Sequence, residues 1–95
     1  MCLNNQITIY CERFLVTLQR KGRRPSTVAA WRRSLYRFYR YAQTQGVRDA
    51  RYVHIDVLFA YQRAAERDGY NVAAIREDIN RLFEFVRWII KQRLR

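Results

Sequence analysis

Gly22–Ala42, GRRPSTVAAWRRSLYRFYRYA, is the stretch that decides the fold. Gly22 can take the positive φ that ends a helix, a conformation most side chains resist. Pro25 stands just before the next helix, where its set φ is an advantage and its missing N–H costs little. Ser26 is the expected N-cap, since its hydroxyl can accept an orphan backbone N–H. From there Val28, Trp31, Leu35, Phe38 and Ala42 recur at steps of three and four, which is one side of a helix running from about residue 27 to 45. Arg33, Arg37 and Arg40 recur at the same spacing on another side, and the functional reading rests on that second stripe.

Outward from this helix the same periodicity gives three more. Residues 1–5 read as a frayed start. Ile7, Tyr10, Phe14, Leu15 and Leu18 mark a first helix over about 6–21. Residues 46–54 form a connector of mixed polarity. Val53 and Ile55 then open a third helix, to about 68, which carries Leu58, Tyr61 and Ala65 and ends at Gly69. Its Asp56 suits a first turn. With Arg63 and Arg67 set against Asp56, Glu66 and Asp68, this helix is a poor partner for a polyanion and reads as scaffold. Asn71 caps a fourth helix, about 72–92, whose core face is Val72, Ile75, Ile79, Leu82, Val86 and Ile89. Another side carries Arg76, Asn80, Arg87 and Lys91, and Glu77 stands four residues before Arg81, the spacing of a pair. The basic tail from Lys91 to Arg95 is either a helix end or the start of a linker.

The second half echoes the first. A shift of 47 residues carries Gly22 onto Gly69, Val28 onto Ile75, Leu35 onto Leu82, Phe38 onto Phe85, Tyr41 onto Trp88 and Ala42 onto Ile89. The echo breaks where Trp31 meets Asp78 and where Thr27 meets Ala74. The expected architecture is all-α: a four-helix bundle of two helix–turn–helix hairpins, in one domain of 95 residues.

Charge narrows the function. Nineteen basic residues, seventeen of them arginine, against eight acidic ones give +11. On a small domain this favours a polyanion such as DNA, RNA or an anionic membrane face. Arginine's planar fork suits phosphate and guanine better than lysine does. The plain alternative is a soluble surface of high isoelectric point. Fourteen aromatics and a 49% hydrophobic content argue for a folded chain. Cys2 and Cys11 lack partners at metal-ligand spacing, so neither a metal site nor any other cofactor is expected. His54, the single histidine, suits a cap or packing role better than catalysis. No stretch resembles a secretory leader or a membrane span, which points to a reducing cytoplasm. Lys21, Arg23 and Arg24, with the Ser26 and Thr27 hydroxyls, surround a helix start whose free N–H groups make a phosphate clamp. An ordinary capped helix with solvated arginines is the competing reading. Trp31, Tyr39 and Tyr41 read as core or core rim, whereas Tyr36, between Arg33 and Arg40, either touches DNA or is solvated.

The segment KGRRPSTVAAWRRSLYRFYRYA resembles the helix-two signature of the N-terminal core-binding domain of tyrosine recombinases and phage integrases: a K-G-x-S/R-x-x-T start, an aromatic four residues on, then leucine and phenylalanine. GYNVAAIREDINRLFEFVRWII is similar to that family's second hairpin. The resemblance implies a SAM-like bundle forming half of a clamp on double-stranded DNA, with the second and fourth helices toward the major groove. The matching positions are Thr27, Arg33, Tyr36, Arg37 and Arg40, then Arg76, Asn80 and Arg81. Ala74 departs from the family's usual threonine, and Glu77 and Glu84 lie close to the implied DNA side. The family's strand-cutting tyrosine, with its arginines, lysine and histidines, belongs to a separate C-terminal catalytic domain. This chain is therefore expected to bind DNA without cutting it, in company with such a domain and with neighbouring protomers.

Two other readings stand beside this one: a basic helical protein–protein module, and a phage regulator that occupies DNA without cutting. The recombinase clamp reading carries a geometric expectation, whose failure would leave only a cationic helical bundle. The arginine rows of both long helices should turn outward together, with the Gly22 turn close to the start of the last helix.

Overall fold

The computed structural model describes residues 6–47, 49 and 52–93, leaving the side chain of Arg93 aside. The expected frayed start at 1–5, Cys2, parts of the connector and the last two residues of the basic tail lie outside the described residues. Four helices follow in order: α1 (Ile7–Arg20), α2 (Pro25–Thr44), α3 (Ile55–Arg67) and α4 (Val72–Arg93). Among the described residues the only strand-like feature is an isolated antiparallel bridge between Gln6 and Asp49, which ties the start of α1 to the α2–α3 connector.

α1 packs most extensively on α2, and α3 on α4, so the two halves are hairpins. The assembly measures 36 × 34 × 19 Å, which is two helices thick. Gly22 and Gly69, matched by the internal echo, have φ of +81° and +80° and turn the chain at the ends of α1 and α3. The other echoed positions agree in depth. Val28, Ile75, Leu35, Leu82, Phe38, Phe85, Ala42 and Ile89 are all buried, and Tyr41 and Trp88 are both half-buried.

One aromatic cluster joins the layers. Phe14 of α1 meets Trp31 of α2 and both Phe85 and Trp88 of α4, each with ring centroids 5.4 Å apart. Tyr61 of α3 closes on Phe38 at 5.9 Å and on Tyr41 at 5.6 Å. Trp31, Tyr39 and Tyr41 sit at the core rim, as expected. Cys11, which the apolar spacing did not single out, is a fully buried free thiol. Burial and the neighbouring Glu12 push it up to about 12, so it stays protonated.

Three local expectations are corrected. Ser26 does not cap α2: Pro25 is already helical, Arg24 holds the N-cap position, and no side chain bonds to the cap. A residue inside the first turn cannot reach back to the free N–H groups as a true cap does. Val72 is not core but 61% exposed: it is the first residue of α4, in a run of exposed residues from Tyr70 to Ala74, and the buried face begins at Ile75. Val53 precedes α3 rather than opening it, although its side chain is fully buried. Asn71 does cap α4, its Oδ1 accepting from Ala73 N at 2.8 Å and Ala74 N at 3.3 Å.

Candidate nucleic-acid interface

No acidic residue occurs between Glu12 and Asp49, a span that holds ten basic residues and the whole of α2. Within it, Lys21, Arg23, Arg24 and Ser26 are exposed and Thr27 is half-buried at the start of the helix. Pro25 has no N–H, and Val28 N already bonds to Arg24 O at 3.0 Å. Ser26 and Thr27 therefore supply the free amides of that helix start. Arg33 and Arg40 are exposed on the outer side of α2. Arg33 has no hydrogen bond or ion pair among the described residues, and Arg40 makes only a long Nε contact of 3.4 Å to Tyr36 O. From Arg24 to Arg40 the helical rise is about 24 Å.

Two neighbouring helices frame this row. On the α1 side, Arg32 Nη1 donates to both oxygens of Glu12, at 3.0 and 2.7 Å, and the Tyr36 hydroxyl donates to the same carboxylate. The Tyr36 bond, with help from Arg32, holds the Glu12 carboxyl below its usual range. Burial and the same bond push the Tyr36 phenol up to about 12. Tyr36 is thus turned toward α1, its hydroxyl already engaged as a hydrogen-bond donor to a carboxylate.

On the α4 side lies a polar cluster. Asp78 is only 7% exposed. Its Oδ1 accepts from Ser34 Oγ at 2.7 Å and from Arg37 Nη2 at 2.9 Å, and Tyr61 hydroxyl donates to its Oδ2 at 3.4 Å. Burial and the Asp78 charge push the Tyr61 phenol up to about 12. Arg81 Nη1 donates to Ser34 Oγ at 3.2 Å and stands 3.7 Å from the same Asp78 oxygen. The expected Glu77–Arg81 pair forms too, but at 3.9 Å it is the loosest of these contacts. Arg37 therefore belongs to the α2–α4 seam, whereas Arg33 and Arg40 are exposed and bound to no other helix.

These contacts also give the helix directions. Positions 34 and 37 of α2 meet 81 and 78 of α4, so the two helices run antiparallel. The Gly22 turn consequently lies against the C-terminal half of α4. There Lys21 and Arg23 share a groove of about 330 Å³ with Glu84, Arg87, Trp88 and Lys91. The expectation that this turn lies near the start of α4 is corrected: that start sits beside the end of α2, where Arg40 and Tyr41 line a groove with Ala74 and Ile75. The α4 row keeps to one side: Arg76, Asn80, Arg87 and Lys91 fall within about 60° of one another around the helix. At about 100° per residue, Arg76, Asn80 and Arg87 stand 100° or more around the helix from Arg81. Arg87 and Lys91 line the groove at the Gly22 turn, and exposed Arg76 and Asn80 stand within about 20° of Arg87 around the helix, three and two turns nearer its start.

Sequence reasoning passed over Asp78, Ser34 and Glu12. Asp78 and Ser34 left a signal, because each sits on the apolar period of its own helix, between Ile75 and Leu82 and between Trp31 and Phe38. A polar group on a core stripe needs a buried partner. Here each is the partner of the other.

The separation of the Gly22 turn from the start of α4 counts against the clamp geometry expected from sequence, whereas the comparisons with known proteins agree with the family and the fold. The family model described as "Phage integrase, N-terminal SAM-like domain" matches residues 11–93. Searches of curated proteins and of solved structures found no significant match. The matched span runs from the middle of α1 to the last residue of α4 and takes in both hairpins, the acid-free helix and the seam beside it. The chain belongs to the family of phage integrase N-terminal SAM-like domains.

Proposed function

We propose that this domain grips double-stranded DNA for a tyrosine recombinase of the integrase type, and that strand cleavage is left to residues outside these 95. The observation that carries the reading is the acid-free basic helix. α2 and the turn before it present Lys21, Arg23, Arg24, Arg33 and Arg40 to solvent, with Arg37 and Arg81 beside them at the seam. Arg87 and Lys91 extend the surface past the Gly22 turn. Such a surface follows a phosphate backbone and sets affinity rather than sequence preference. Ser26 and Thr27 add amide and hydroxyl donors at the helix start. Tyr36 contributes at the edge of the surface through its ring, its hydroxyl being bound to Glu12. Arg76 and Asn80 stand on the same side of α4 as Arg87, nearer the helix start, and reach DNA where the duplex follows that side. The other domains and protomers of a recombinase would complete the grip.

The test is a fluorescence-anisotropy titration of a labelled duplex at several salt concentrations. With about six phosphates neutralised, log K falls against log salt with a slope near −5. Micromolar, salt-steep binding is expected. An absence of binding at low salt would overturn the proposal and leave a basic helical module whose partner is another protein.

A further inference from the structure

We propose that Arg37 and Arg81 form one seat for a single phosphate group across the α2–α4 seam, and that Asp78 is the residue that positions both. The inference rests on the DNA-binding reading above. Both guanidinium groups approach the same Asp78 oxygen, at 2.9 and 3.7 Å, so their nearest nitrogens are at most about 6.6 Å apart, the sum of the two distances. Charge-assisted bonds of about 2.8 Å each, from two oxygens of one phosphate, span such a gap. Neither arginine is used up by the carboxylate. The Arg37 side chain is 45% exposed and that of Arg81 28%, so both remain open to solvent, with Glu77 only loosely placed at 3.9 Å from Arg81 Nη2. Asp78 is itself covered, and its second oxygen is taken by Tyr61.

The location adds to the argument. Ser34 and Arg81 are equivalent positions in the two halves, 47 residues apart, and they bond to each other. They mark the place where the two hairpins meet about their internal symmetry. The Trp31–Asp78 break in the echo falls at the same place. Where symmetry would put a second indole, the chain has a carboxylate that draws one arginine from each half to one oxygen. Long side chains lose rotamer freedom when they bind, and a carboxylate beneath them removes part of that loss in advance.

The sign of one substitution tests this. Simple electrostatics says that Asp78→Asn, which raises the net charge by one, tightens binding to a polyanion. Positioning says the reverse, because the amide still accepts from Ser34 but no longer draws in two cations. The expected result is affinity for a 20-base-pair duplex about tenfold weaker, from the rotamer freedom the arginines regain. Wild-type binding with unchanged or tighter binding by the variant overturns the proposal and leaves the DNA-binding reading standing. Failure of the wild type to bind overturns both. If Asp78→Asn does not fold, the same question is put to Arg37→Ala, Arg81→Ala and the double variant. One shared phosphate predicts that the double variant loses about 0.9 of salt slope, whereas independent contacts lose about 1.8.

Discussion

The double substitution Arg33→Ala and Arg40→Ala probes the outward face of α2 with little risk to the fold. Both side chains are exposed, and Arg40's one bond is a 3.4 Å contact that holds no other helix in place. Substitutions at such positions change stability by about 0.5 kcal/mol or less. Their effect on DNA is much larger. Each neutralised phosphate contributes about 0.9 to the salt slope, so a wild-type slope near −5 falls to about −3.2 when two contacts go. At about 0.1 M salt the same relation makes each contact worth about 0.9 of a decade in affinity. The pair therefore costs about 1.8 decades, or roughly 2.5 kcal/mol. The assay is the anisotropy titration at four or more salt concentrations, with circular dichroism to check helix content. Arg63→Ala with Arg67→Ala on α3 is the control, since it removes the same charge from a helix that also carries Asp56 and Glu66. If the α3 pair weakens binding as much as the α2 pair, or if the α2 pair leaves the slope unchanged, diffuse charge rather than a surface on α2 is responsible.

Three further outcomes concern the fold. Asn71→Ala removes both side-chain bonds at the start of α4 and is expected to cost about 1 kcal/mol, a fall of about 4–8 °C in Tm, while Asn71→Asp keeps the wild-type value. Gly22→Ala meets no atom within 4 Å, so its cost is that of the backbone at φ +81°, about 1–2 kcal/mol by chemical denaturation, and a neutral result would mean that the turn can change shape. The Cys11 thiol and the Tyr36 and Tyr61 phenols are each pushed up to about 12, so above pH 9 the unfolded chain releases protons that the folded chain keeps. Stability is accordingly complete below that pH and falls as pH rises toward 12, and a flat profile of Tm from pH 9 to 11 would contradict the burial of these groups.

The helices were legible because their signals are local. Glycines ended α1 and α3, Asn71 opened α4, and the apolar steps from Val28 to Ala42 gave the buried side of α2. Ser26 misled because two signals competed for one boundary. Proline is itself a favoured first residue of a helix, and here it took that place ahead of the serine. What the sequence hid lies between helices. Periodicity shows which side of α2 and of α4 is buried but not that the two run antiparallel. The Gly22 turn was therefore assigned to the wrong end of α4. The partnership of Ser34, Arg37, Asp78 and Arg81 joins residues more than forty positions apart and depends on that direction. Asp78 was visible as a polar residue on an apolar stripe, yet nothing in the sequence said which arginines it would attract.

The central claim is that a duplex lies along the acid-free side of α2. Amide and arginine side-chain chemical-shift mapping during titration with a 20-base-pair duplex tests it most directly. The expected result is one connected surface of shifts, from Lys21–Thr27 through Arg33 and Arg40, across the seam to Arg81 and past the Gly22 turn to Arg87 and Lys91, with α3 silent. Shifts centred on α3, or scattered over both broad faces of the bundle, would contradict it.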